Sequence, residues 1–192
     1  ADGYFVLPYT IGIYLKEVEA GFSDTNHEGF REAEDLVDKK ISKLMGIGGA
    51  KTPDHFHKRL GKIIWDKCGM ARTEEGLTTA LGEVRALRDE FWSDLRVVGS
   101  KDGLNQTLEN AGRVADFMDL GEMMVMDALS RDESCGAHFR EEHQHPDGEA
   151  KRNDADFQHG AVWAFDGEGQ PPARNTEPLT FDYVPPSTRS YK

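Results

Sequence analysis

The sequence predicts a mainly α protein: an antiparallel bundle of three to four helices, followed by a small irregular C-terminal region that contains two short β-strands. Three observations carry this expectation. Between Asn26 and Ser130, apolar residues recur at the three- and four-residue spacing of amphipathic helices. Capping and stop residues punctuate those blocks at their ends. Beyond Arg131 the periodicity gives way to turn residues and short alternating segments.

Ahead of the bundle, residues 1–25 carry the apolar run Tyr4-Phe5-Val6-Leu7, expected to end at Pro8 and followed by Ile11, Ile13, Tyr14 and Leu15. The segment is expected to be frayed or packed opportunistically. A first helix is expected over Asn26–Met45, with Phe30, Ala33, Val37, Ile41 and Leu44 on its apolar stripe and Gly46-Ile47-Gly48-Gly49 as its stop. Thr52 then offers an N-cap, Pro53 suits the first helical position, and Asp54 puts negative charge against the helix dipole. The second helix turns Phe56, Leu60, Ile63 and Ile64 inward and stops at Gly69. Thr73 caps a third, whose stripe is Leu77, Leu81, Val84, Leu87 and Phe91, with Trp92 and Leu95 extending it. The fourth runs from about Asp102 to Ser130, roughly 40 Å at 1.5 Å per residue. Its second half is apolar on several sides (Phe117, Leu120, Met123, Met124, Val125), which calls for cover most of the way round. Short connections make neighbouring helices antiparallel. In region 131–192, Pro146-Asp147-Gly148 and Gly167-Glu168-Gly169 mark turns, while Ala161–Phe165 and Leu179–Val184 read as strands closed off by Pro185-Pro186.

Composition limits the function classes. The 192 residues suffice for one domain with a real core, and the 38% hydrophobic residues are gathered in periodic blocks rather than dispersed among the 30% charged ones. A net charge of -12 argues against a nucleic-acid partner, which demands a basic stripe. Cys68 and Cys135 stand far apart with no C-x-x-C spacing, so reduced thiols in a cytosolic protein are the expectation rather than a thiolate metal site. No apolar run approaches the roughly 20 residues that cross a bilayer. The start at Ala1, without a methionine and in mid-element, reads as that of a cut or cloned fragment.

No catalytic, cofactor-binding or metal-ligating residue is assigned. His138, Glu141, Glu142, His143 and His145 are the densest set of potential ligands, but nothing in their spacing enforces a third ligand beside the His-x-His pair. The Glu-x-x-His repeat of a di-iron bundle does not occur. Gly46-Ile47-Gly48-Gly49-Ala50-Lys51-Thr52 looks like a phosphate loop, yet Ala50 stands where a glycine must precede the lysine, and a helix rather than a strand leads in. His55 and His57 are expected at the surface. Met118, Met123, Met124 and Met126 read as core filling. Asp132, Glu133 and Arg140 are expected to form an ion-pair network that pins the tail. No strand leads into a Gly-x-Gly-x-x-Gly turn, so the sequence offers no recognisable dinucleotide cradle.

Three motifs taken in order carry a resemblance. Tyr4-Phe5-Val6-Leu7-Pro8, Cys68-Gly69-Met70-Ala71-Arg72 with Glu75-Gly76-Leu77, and Arg131-Asp132-Glu133-Ser134 with Gly136-Ala137-His138 and Arg140 resemble the flavoprotein subunit of succinate dehydrogenase and fumarate reductase. The terminal Arg189-Ser190-Tyr191-Lys192 is similar as well. Cys135 departs from the arginine many members carry, and resembles the branch with an iron-sulfur subunit and a single diheme membrane subunit. The resemblance implies that residues 1–25 are the end of the FAD-binding domain, 26–130 the helical domain and 131–192 the small C-terminal region. It implies a parent enzyme that interconverts succinate and fumarate through FAD, with the catalytic and flavin-holding residues upstream of Ala1 and no activity in this piece alone. The implied partners are the FAD-binding part, the iron-sulfur subunit and, indirectly, a membrane cytochrome b, in a complex on the cytoplasmic face of a bacterial inner membrane. A freestanding acidic helical interaction module is the alternative.

Overall fold

The computed structural model describes residues 2–18, 24–167 and 169–187. Ala1, Glu168 and the Arg189-Ser190-Tyr191-Lys192 motif lie outside the described residues. The chain divides into two compact units, Ala1–Ser42 and Lys43–Lys192.

In the first unit α1 (Asp2–Tyr9) passes through Pro8 instead of stopping there. Proline removes one helical N–H and crowds the preceding turn. The helix accommodates it by widening into a π-helical stretch, Thr10–Tyr14, before the short α2 (Leu15–Glu17). The Thr10 hydroxyl donates to the Val6 carbonyl at 2.9 Å and supports the distorted turn. Along α3 (Glu28–Gly46) the expected stripe is only partly used. Phe30 and Val37 are exposed, whereas Leu44, near its end, is buried.

The second unit is built on α4 (Pro53–Lys67), α5 (Glu74–Asp94) and α6 (Gln106–Ser130). Partner residues fix their directions. Lys67 meets Glu83 while Arg59 meets Glu90, so α4 and α5 are antiparallel; Arg85 and Arg88 share Glu122, setting α6 back across α5. His57 stacks on Phe117, so that α6 also borders α4. Phe56, Leu60, Val84, Leu87, Phe91 and Met118 fill the space between the three helices, joined by Leu44 from α3 and by Leu95. A second cluster of Cys68, Leu77, Ala80, Val125 and Ala128 continues the core toward the C-terminal region. Burying each large apolar side chain contributes about 2 kcal/mol, and the Phe56–Phe91 edge-to-face contact at 5.2 Å adds to it.

Thr52 and Thr73 cap as expected, accepting from the His55 and Gly76 amides. The start of α6 differs: Asn105 is the cap, accepting from the Leu108 amide at 3.0 Å. Asp102 is engaged instead in a local turn with the Ser100 hydroxyl, the side-chain competition that disfavours a helix at that point. Leu104 is accordingly exposed. The cover expected around the second half of α6 is incomplete, since Phe117, Leu120 and Met124 keep substantial exposure. Among the methionines only Met118 is fully buried; Met123 and Met126 sit part-buried.

After α7 (Asp154–Phe157), β1 (His159–Ala164) pairs antiparallel with β2 (Ala173–Pro178), Val162 facing Asn175 and Trp163 facing Arg174. The first strand starts two residues earlier than expected, at His159, but overlaps the expected Ala161–Phe165. The second does not: Leu179–Val184 is irregular, and the strand precedes it. Pairing runs out because Gln158, opposite Leu179, is followed backward by the turn of α7, which leaves no extended partner. No helix among the described residues is long and apolar enough to cross a membrane.

Candidate functional site

The polar centre of the second unit forms where α6 ends. Ser134 is fully buried, donating from its hydroxyl to the Arg140 carbonyl (3.0 Å) and accepting from the Arg140 amide (2.8 Å). Between them Cys135-Gly136-Ala137-His138 closes a tight turn, with Cys135 and His138 exchanging backbone hydrogen bonds. Gly136 takes φ +60 at the first central position, the left-handed conformation that favours glycine.

Around this turn the charged side chains are sorted by partner. Glu133, 1% exposed, accepts from Arg131 Nε at 2.9 Å and from the Asn153 amide at 2.7 Å. Arg140, also 1% exposed, reaches Glu142 at 3.3 Å, Asp132 at 3.6 Å and the Ala128 carbonyl at 3.5 Å. Glu142 in turn accepts the Glu74 amide at 2.6 Å, so the tail closes the N-terminus of α5. Burial opposes ionisation there, but that amide and Arg140 hold the Glu142 carboxyl below its ordinary range. Asp132, Glu133 and Arg140 thus join the end of α6, the start of α5 and the segment leading to α7, a network that ties the tail down.

Arg72, 66 positions away in sequence, completes the centre: its backbone bridges to Phe139 and Glu141, and its Nη1 lies 2.7 Å from His138 Nδ1. An arginine only donates and a carbonyl only accepts, so Nδ1 accepts from Arg72 while Nε2 donates to the Arg131 carbonyl at 2.8 Å. The imidazole is therefore neutral with its proton on Nε2. Burial first, and then the nearby Arg72, Arg140 and Arg131 charges, lower its affinity for a second proton, although the bond to the Arg131 carbonyl opposes this. The unfolded chain takes up a proton near the ordinary value of 6.5, while the folded one resists to lower pH. The stability His138 contributes is therefore fully present above that value and is lost as pH falls below it. Urea unfolding midpoints from about pH 7.5 to about pH 5 should fall for the native chain. His138→Gln, which cannot gain the proton, should flatten that slope; an unchanged slope would mean that His138 is freely hydrated.

The other sequence candidates are dispersed. His143 pairs with Asp132 at 2.5 Å, and His145 makes its backbone bond to Glu149. Among the described residues no group of three or more His, Cys, Asp or Glu converges as a metal site. Lys51, in the loop that looks like a phosphate cradle, is occupied by Glu90 and by Asp94 at 3.0 Å. Those hydrogen bonds, Glu90 first, raise the Lys51 pKa. His55 and His57 are both exposed. Cys68 and Cys135 are free thiols, and burial pushes Cys68 up, away from thiolate chemistry. Sequence reading grouped the acids with Arg140 but missed Arg72 and Glu122, whose partners lie on other elements. The Cys68-Gly69-Met70-Ala71-Arg72 motif was the available signal for Arg72.

FAD does not fit the residues present. Among the described residues the two strands are antiparallel neighbours, with no strand–glycine turn–helix unit to carry a pyrophosphate. Fold and polar centre define a helical module with a buried charged hub at the end of its longest helix. The chain belongs to the fumarate reductase flavoprotein C-terminal family, whose model matches residues 57–191. It is similar to the fumarate reductase flavoprotein subunit of Serratia sp., 23% identical over 155 residues, covering 81% of the chain and 25% of that relative. The 8-methylmenaquinol:fumarate reductase flavoprotein subunit of Wolinella succinogenes is 25% identical over 161 residues, covering 79% of the chain and 23% of the relative. A solved quinol-fumarate reductase with menaquinol molecules shares the fold at a TM-score of 0.71 and 22% identity, covering 88% of this chain and 28% of that one. The chain thus spans about a quarter of the length of the curated relatives it matches.

Proposed function

We propose that this chain is the C-terminal brace of an FAD-dependent enzyme that interconverts succinate and fumarate. The carrying observation is the coincidence of Arg131-Asp132-Glu133-Ser134, Gly136-Ala137-His138 and Arg140 with the buried polar centre, inside the stretch the family model matches. In this reading residues 1–25 end the FAD-binding domain, 26–130 form the helical domain and 131–192 the small C-terminal region. The flavin and dicarboxylate are held by the FAD-binding part, and an iron-sulfur subunit shares the outer surface, with a membrane cytochrome b joined through it. The exposed apolar side chains of α1, among them Tyr4, Phe5 and Leu7, support a covering partner, which the reading identifies as the FAD-binding part.

The purified chain supplied with FAD is expected to give no succinate oxidation with an artificial electron acceptor. Joined to a flavin-binding polypeptide encoded in the same frame, it is expected to restore turnover. Activity of the chain alone would place the catalytic groups here and sink the reading. A pure interaction module would instead show no flavin-binding frame upstream.

A further inference from the structure

Arg72, like Arg96 and Arg174, stands outside the ion pairing among the described residues of the second unit. Arg59, Arg85, Arg88, Arg131, Arg140 and Arg152 each meet a carboxylate. Arg72 is held by neutral groups instead: Nε donates to the Gly69 carbonyl at 3.0 Å and Nη1 to the neutral His138 at 2.7 Å. Among the described residues no carboxylate lies within ion-pair distance of it. A part-buried guanidinium has lost some of its hydration, and two neutral acceptors return little of that loss. Of its five N–H donors, two are used.

The remaining donors border a cleft of about 480 Å³ that Arg72 lines with Arg131, His138, Cys68, Cys135 and Asp127, among others. That is ample for a phosphate or a small carboxylate, since a water takes about 30 Å³. Arg131 engages Glu133 and the Phe157 carbonyl through Nε and Nη2, leaving Nη1 for a ligand. Asp127, the acid on the wall, has its Oδ1 engaged by the Trp163 indole N–H at 2.8 Å.

We propose that this cleft is an oxyanion site, in which Arg72 supplies the charge and Arg131 a second donor to a small carboxylate or a phosphate. The guanidinium is already held at Nε and Nη1, so little order need be lost on binding. A guanidinium matches either anion with two parallel N–H donors. The site stands independently of the proposed parent activity.

The test uses the 192-residue chain. Inorganic phosphate and, separately, acetate are titrated at constant ionic strength, following the Nε–H resonances of Arg72 and Arg131 and the ring nitrogens of His138. Saturable shifts at these residues are expected, together with a rise in the His138 titration midpoint on binding, because an anion cancels part of the charge that opposes its proton. Phosphate alone saturating assigns a phosphate ligand, acetate alone a carboxylate, and mutual competition either one. Arg72→Lys should weaken binding about tenfold, losing the paired donors. Cys135→Glu keeps Arg72 and His138 unaltered but sets a competing carboxylate on the cleft wall, and should abolish saturation. Shifts that never saturate, or that sodium chloride reproduces, overturn the site. Should Arg72→Lys fail to fold, as judged by the Trp163 indole resonance, Cys135→Glu decides alone: binding retained in it overturns the proposal.

Discussion

Arg140→Met is expected to lower folding stability by about 2–3 kcal/mol, the cost of losing charged hydrogen bonds whose carboxylate partners, Glu142 and Asp132, keep access to water. Methionine approximates the volume of the arginine stem, so the loss is electrostatic rather than a cavity. It would strand Glu142, which closes the N-terminus of α5, and take away the donor aimed at the Ala128 carbonyl near the end of α6. The Ser134–Arg140 backbone bonds involve no Arg140 side chain and should survive, so the turn would persist while its anchorage loosens. Urea unfolding followed by far-UV circular dichroism measures the change. A loss below about 1 kcal/mol would mean that water substitutes for the guanidinium, as at an exposed ion pair, and the network would then not hold the tail.

Glu133 shows how much of this centre the sequence exposed. Its place beside Asp132 and ahead of Arg140 was enough to suggest an ion-pair network, because acids and arginines that close in sequence seldom stay unpaired. Which acid goes inward was not legible: Glu133 is 1% exposed, while the Asp132 side chain keeps 65%. That choice depends on the amide of Asn153, twenty positions on. Arg72 was harder still. Its pairing with His138 depends on two loops meeting at the ends of different helices, and helical periodicity says nothing about loops.

Elements were readable where one physical rule dominated. The stripes of α4 and α5, and the threonines that cap them, follow from spacing and hydrogen-bond geometry alone. Where two rules competed, the local one misled. Leu179–Val184 alternates well but has no partner strand, whereas Ala173–Pro178, mostly polar, pairs with β1 while five of its six residues stay exposed to solvent. The stripe of α3 illustrates the same limit: amphipathicity marked a face, but Phe30 and Val37 on it are exposed.

Gly49→Ala should be the most damaging single-methyl change in the glycine-rich loop, at about 3 kcal/mol. A Cβ at this position would stand 2.1 Å from the Asp94 carbonyl carbon and 2.2 Å from its oxygen. Both are backbone atoms at the end of α5 and cannot swing aside. The approach is enforced by a short parallel bridge, in which the Gly49 amide donates to Leu95 and the Lys51 amide to Asp94, each at 2.9 Å. Forcing the strands apart would lift Leu95 from the core, where it is fully buried, and separate Lys51 from Asp94. Gly48 provides the comparison: it adopts φ +65 but has only one atom near its would-be Cβ, at 3.9 Å. Gly48→Ala should therefore cost only the backbone strain of about 1–2 kcal/mol. Equal losses for the two variants, measured by urea unfolding, would show that the loop yields freely at Asp94. The expected gap instead assigns the glycines of this apparent phosphate loop to a helix end pressed against their backbone.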